Sequence, residues 1–161
     1  MTHHHIFIAG KGGQGISFMG QILLKAAIHE GKYGEMLPHY EYTIRGGLTT
    51  CHLLISDHPQ NLSQHRDYNI GIYLHPMARE KTMPFASDSL LIDAYALKGP
   101  TLTQKIQFNQ GLNMLVLGYL LKRVPICHEN MIAWALKQNL GPDRIKLLTK
   151  NLALLEKGGQ L

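Results

Sequence analysis

Three glycines at positions 10, 12 and 15, in the run Gly10-Lys11-Gly12-Gly13-Gln14-Gly15, are the residues here whose type and spacing point most directly to chemistry. The G-x-G-x-x-G spacing lets a backbone turn sharply and aim free N–H groups at an anion. Lys11 places a cation within the turn, and the Gln14 amide can donate or accept. The flanks agree with this reading. His5-Ile6-Phe7-Ile8-Ala9 reads as a buried strand, and Ile16, Gly20, Leu23, Leu24 and Ala27 recur at helical spacing. The order is strand, glycine turn, helix. The plain structural alternative is that Gly12 and Gly15 only let the helix pack closely on the strand.

A dinucleotide fingerprint makes a further demand, an acidic residue about 20 positions beyond the loop at the end of the second strand. Glu35 falls inside that predicted strand, while Leu37-Pro38 stands at its end, so NAD or FAD binding survives only as the alternative reading. A Walker loop is excluded, because no Gly-Lys-Ser or Gly-Lys-Thr follows the glycines.

A second candidate is Arg45-Gly46-Gly47, just ahead of the longest predicted strand. A guanidinium fork suits phosphate or carboxylate, and two glycines would admit a ligand or a neighbouring chain close to the backbone. A surface ion pair beside a turn explains the arginine equally well. Tyr40 and Tyr42 flank Glu41 in the same segment, either as an aromatic patch or as ordinary loop packing. Asn113, leading into an apolar helix, needs partners as a polar amide near the core, either as a cap of that helix or through a bond across to the glycine loop, and a structural role is expected of it.

Other reaction chemistries find no footing. Ser17, Ser56 and Ser63 sit in no nucleophile elbow, and adjacency places Cys51 and His52 on opposite faces of a strand. Ten histidines are present, three of them as His3-His4-His5, but no H-x-x-x-H or H-E-x-x-H pair occurs. Two unclustered cysteines, Cys51 and Cys127, exclude an iron–sulfur cluster ligated by cysteines of this sequence alone.

Composition narrows the class further. At 161 residues and 45% hydrophobic content, one domain spanning 1–161 is expected. No apolar run approaches the ~18 residues of a membrane span, and no signal-peptide pattern opens the sequence, so a cytoplasmic protein is expected. A net charge of +5 and a pI near 9.3 favour anionic ligands or acidic partners. The basic residues are dispersed from Lys11 to Lys157, which argues against nucleic acid. Charged residues make up 17%, below the ~25% usual for soluble domains, which leaves surface suited to contact with other subunits.

The elements that must position these residues follow from periodicity. After the first helix, Gly31 marks a stop, Tyr33–Leu37 reads as a short strand ended by Pro38, and 38–47 reads as a loop. Strands follow at Leu48–Ser56, Tyr68–Leu74 and Ser89–Asp93. Gly111–Lys122 is apolar on nearly all sides, so it is either buried in the core or pressed against another copy as a homodimer contact. Ile132 to Leu140, stopped at Gly141-Pro142, and Ile145 to Leu155, ending at Gly158-Gly159, complete three closing helices. The expected fold is α/β, a Rossmann-like sheet with flanking helices and a helical C-terminal third.

Across Ile8–Ile16, Leu37–Gly47 and Cys51–Ser56, and through Asn113-Met114, Leu117-Gly118, Asn151-Leu152 and Lys157-Gly158 in that order, the chain resembles the gamma subunit of 2-oxoacid:ferredoxin oxidoreductases. Enzymes of that family convert a 2-oxoacid and coenzyme A to an acyl-CoA and CO2, passing electrons to ferredoxin. The resemblance implies a subunit inactive alone, working with alpha-, beta- and delta-type subunits. Thiamine diphosphate and the 4Fe–4S clusters would then sit on those partners, with ferredoxin reached through the complex. It also implies contact with coenzyme A, for which Gly10, Lys11, Gly12, Gly13, Gln14, Gly15, Arg45, Gly46 and Gly47 are the candidate residues. The stretch from Asp93 to Asn113 is shorter here than the family's usual connection.

Overall fold

A computed structural model describes residues 3–41, 47–97, 111–141 and 144–161. Its elements are β1 (His3–Lys11), α1 (Ile16–His29), β2 (Tyr33–Tyr40), β3 (Leu48–Ser56), β4 (Tyr68–Tyr73), β5 (Phe85–Asp93), α2 (Leu112–Arg123), α3 (Glu129–Leu140) and α4 (Ile145–Gly159). The strands form one mixed sheet in the order β2-β3-β1-β4-β5. β1 runs parallel to β4 and β4 parallel to β5, whereas β3 is antiparallel to both β1 and β2.

The two faces of the sheet differ. Ile6 and Ile8 of β1, Leu53 and Ile55 of β3, and Ile70 and Ile72 of β4 join Met19, Leu23, Leu117 and Leu136 of the helices in one buried cluster. Phe7 and Ala9 point the other way, into a smaller cluster with Tyr68 and Ala78. The period-2 alternation of a strand explains the split. Tyr68 sits with Phe7 although Ile70 faces the helices, because the β4–β5 register shifts between Tyr68 and Ile70.

Three sequence expectations are corrected in extent. β1 is longer than His5–Ala9, so Gly10 and Lys11 belong to the strand and pair with Thr49 and Leu48. β2 runs through Pro38 to Tyr40, where a loop was expected. Its edge position explains this, since a proline lacks an N–H but an edge strand has one side without ladder partners. β5 begins at Phe85, ahead of the expected Ser89.

Among the C-terminal helices, α2 buries Leu112 through Gly118, Leu120 and Leu121, which resolves the choice left open for it in favour of the core. It crosses α4 at near backbone contact. A Cβ on Gly118 would overlap the Leu155 carbonyl, and one on Gly158 would overlap the Leu115 carbonyl. The two glycines act as reciprocal notches, and no larger residue allows that approach.

Candidate functional site

The glycine turn stands at the C-terminal end of the central strand β1, beside the parallel neighbour β4. In open α/β sheets ligands collect at such a place, where the chain leaves β1 toward one edge of the sheet and β4 toward the other. Here that crevice is filled from within. Gln14, 5% exposed, donates through Nε2 to the Leu74 carbonyl at 2.9 Å and accepts at Oε1 from the Lys11 amide at 2.7 Å. Its amide thus joins the end of β1 to the end of β4, and a Cβ on Gly10 would clash with that same Oε1.

Two further amides of the turn are internally bonded. Gly12 N–H donates to the Gly47 carbonyl at 3.1 Å, and Gln14 N–H to the Lys11 carbonyl at 3.1 Å. Gly13 and Gly15 adopt φ of 89° and 74°, the left-handed region that favours glycine. Among the described residues, the amides of Gly13, Gly15, Ile16, Ser17 and Phe18 have no intramolecular partner. They stand at the N-terminus of α1, where the helix dipole is positive, and no acidic side chain occupies the first turn.

A hollow of about 400 Å³ opens on this side, lined by Gly12, Gly13, Gly15, Ser17, Tyr40 and Thr49 with the side chains of Ile16 and Phe18. Tyr40, 53% exposed at the end of β2, hydrogen-bonds Ser17 Oγ through its hydroxyl at 2.9 Å and forms one wall. Behind it, Asn113 Nδ2 donates to the Gly15 carbonyl at 3.2 Å while its Oδ1 accepts from Met114 N–H at 2.9 Å. Asn113 therefore fastens α2 to the turn. On the far side of β1, burial and the nearby Lys11 ammonium hold the His75 imidazole below its ordinary pKa.

The structure thus brings Gly12, Gly13 and Gly15 to the hollow, turns Gln14 inward as a brace, and ties Gly47 to Gly12. Gly10 and Lys11 end the strand beneath. Arg45, Gly46 and Tyr42 lie outside the described residues. Ser17 and Thr49 were not anticipated as parts of this site. Ser17 carried a legible sign as the second residue of a helix that follows a glycine turn, but Thr49 is set there only by β3 pairing with Gly10.

The dinucleotide alternative fares poorly in this geometry. In a fingerprint of that kind the acidic residue closes the strand beside the first, but here antiparallel β3 lies between β1 and β2. Glu35 is committed elsewhere, its carboxylate accepting the Leu62 amide at 2.7 Å. Cys51 is buried and Cys127 half-buried, and desolvation pushes both thiols up to about 12. Among the described residues, no group of histidine, cysteine or acidic side chains has the arrangement of a metal site, and no helix is long and apolar enough to cross a membrane.

A mixed five-stranded α/β sheet with flanking helices, a glycine turn at the end of its central strand and a helical C-terminal third defines the class of fold. Over residues 5–161 the sequence matches the pyruvate ferredoxin/flavodoxin oxidoreductase family, and the chain belongs to it. It is similar to the ketoisovalerate oxidoreductase subunit VorA of Methanothermobacter thermautotrophicus, 45% identical over 49 residues, which is 30% of this chain and 10% of that protein. The fold matches the keto/oxoacid ferredoxin oxidoreductase gamma subunit of Geobacter sulfurreducens with a TM-score of 0.72 at 20% identity, covering 99% of this chain and 98% of that one. It also matches the pyruvate oxidoreductase subunit PORC of Thermotoga maritima, at 0.73 and 18%, over 99% and 97%. A third match is the 2-oxoglutarate:ferredoxin oxidoreductase of Magnetococcus marinus, solved with 2-oxoglutarate, coenzyme A and succinyl-CoA bound. There the TM-score is 0.79 at 19% identity, covering 99% of this chain but 31% of that one.

Proposed function

We propose that the chain serves as a gamma-type subunit, one domain spanning 1–161, of a cytoplasmic 2-oxoacid:ferredoxin oxidoreductase. In this role it receives the phosphate-bearing part of coenzyme A at the glycine turn. The observation that carries this reading is the set of unpartnered amides at Gly13, Gly15 and the first turn of α1, opening on a hollow beside Tyr40 and Ser17. Peptide amides at the positive end of a helix hold a phosphate without a dedicated cation. Family membership and the coenzyme A named with the Magnetococcus structure support the choice of ligand.

In the reaction, this chain's part is positioning. The amides of Gly13 and Gly15 and the Ser17 hydroxyl would bind phosphate oxygens, with Arg45 as a further anion contact. Tyr40 would yield its bond to Ser17 as the ligand enters. Oxidative decarboxylation and electron transfer to ferredoxin would take place on alpha-, beta- and delta-type partners that carry thiamine diphosphate and 4Fe–4S clusters. Two unclustered cysteines, one buried and one half-buried, agree with that division.

Affinity capture of the tagged chain from its native host, with mass spectrometry of the captured proteins, tests the assembly. Thiamine- and cluster-bearing chains are expected, and a solitary chain holding flavin or NAD would overturn the reading. In the assembled enzyme, Ser17→Ala and Arg45→Ala should raise KM for coenzyme A while KM for the 2-oxoacid stays put. Unchanged values in both variants would remove the glycine turn from the assignment.

A further inference from the structure

The sheet face opposite the main helical layer, the face of Phe7 and Tyr68, holds a second hollow of about 400 Å³, bounded by β1, β2, β3 and the 3-10 turn at Leu62–Gln64. His5, Glu35, Leu37, His52, His65 and Tyr68 are among the residues that line it. Its walls are aromatic. His5 stacks on Tyr68 with ring centroids 4.0 Å apart, and His65 tilts against His5 at 5.6 Å.

Hydrogen bonds fix two of the tautomers. His5 Nδ1 lies 3.0 Å from the Asp67 carbonyl, which can only accept, so Nδ1 carries the proton and Nε2 is left as a lone-pair acceptor. His65 Nε2 donates in the same way to Gln60 Oε1 at 2.6 Å, leaving Nδ1 as an acceptor. Neither remaining nitrogen has a hydrogen-bond partner among the described residues, and neither is among the buried unpartnered atoms, where His4 Nε2 stands. Burial lowers the pKa of His5, His52 and His65, so the three rings are neutral near pH 7. Glu35 supplies the one carboxylate of the lining among the described residues, one of its oxygens spent on the Leu62 amide.

Among the described residues the lining therefore offers aromatic rings, lone pairs and a negative charge, and no lysine or arginine. An anion would meet repulsion and few donors there. A metal ion would need three convergent ligands, which the described residues do not provide. A compact planar cation that donates hydrogen bonds suits the carboxylate and the two ring nitrogens left as acceptors.

We propose that this hollow is a second ligand site, separate from the glycine turn, for a small planar organic cation with N–H donors, of the guanidinium or amidinium class. The charge answers Glu35, and the N–H groups answer His5 Nε2 and His65 Nδ1. Leu37, 60% exposed, forms an apolar lip at the mouth.

Benzamidinium is a suitable probe, with uncharged benzamide as the shape control, titrated into the full chain at pH 7.5 and followed by the imidazole carbon-bound proton resonances. Saturable shifts confined to His5, His52 and His65 are expected, with benzamide at least about tenfold weaker, as befits a charge-assisted contact. Glu35→Gln and His65→Phe should each weaken the probe by about tenfold, and Leu37→Trp, which fills the mouth from an exposed position, should block it. Ser17→Ala should leave it unchanged, which separates this site from the coenzyme A reading. Absence of saturation, equal binding of benzamide, or unaltered binding by folded Glu35→Gln and Leu37→Trp proteins would each overturn the proposal.

Discussion

Asn113 and Gly15, 98 positions apart, meet where α2 passes the glycine turn. The asparagine amide donates to the Gly15 carbonyl at 3.2 Å, and a Cβ on Gly15 would overlap that amide nitrogen. The contact makes the shape of the turn depend on the C-terminal third of the chain. It also explains why a polar residue sits 8% exposed at the start of an apolar helix, since both ends of its amide are bonded.

Replacing Gly15 by alanine should therefore be costly on two counts, the positive φ of 74° and the clash with Asn113. A loss of about 2–3 kcal/mol is expected, against about 1 kcal/mol for Asn113→Ala, which removes two side-chain hydrogen bonds but leaves the backbone of the turn unstrained. Urea denaturation of both variants checks the ranking, and equal midpoints would refute it.

Gln14→Ala should cost about 2 kcal/mol, because it strands the Leu74 carbonyl and the Lys11 amide at a buried junction. If instead Gln14 served mainly as a ligand group, the variant would keep its thermal midpoint and lose only coenzyme A affinity in the assembled enzyme.

The crossing of α2 and α4 should reject even a methyl group. Gly118→Ala and Gly158→Ala each force a side chain against an opposing carbonyl, for about 3 kcal/mol or more. Since either change separates the same two helices, the double variant should fall short of the sum of the singles. Additive losses would indicate that the two notches do not share one interface.

Acid should destabilise the domain through its buried imidazoles. His4 is 8% exposed, its Nε2 has no hydrogen-bond partner among the described residues, and burial with the nearby Lys32 lowers its pKa from 6.5 to about 4. The folded chain thus keeps His4 neutral at pH values where the unfolded chain protonates it. Its contribution is intact above pH 6.5, declines as pH falls toward 4, and amounts to about 3 kcal/mol in all. His5, His52 and His65 are shifted in the same direction and add to the slope. Urea midpoints between pH 7.5 and 4.5 should fall steeply for the native sequence and less steeply for His4→Gln. Parallel profiles would exclude His4 as a main cause.

Local pattern was enough to read β3, whose bounds at Leu48–Ser56 coincide with the alternation and branched side chains of that stretch, and the closing helices, whose apolar spacing and terminal glycines are local features. The bounds of β1 and β2 were less legible. Ladder pairing with β3 extends β1 to Lys11 and carries β2 across Pro38, and pairing depends on a partner that no single segment reveals. The same holds at the site. Spacing alone marked Gly12, Gly13 and Gly15, because a sharp turn restricts which residues can stand there. It could not show that Gln14 faces inward, that β3 separates β1 from β2, or that Tyr40 walls the hollow. The Tyr40–Ser17 and Gln14–Leu74 contacts among them join residues 23 and 60 positions apart, and such relations arise only when the sheet order brings distant backbone into contact.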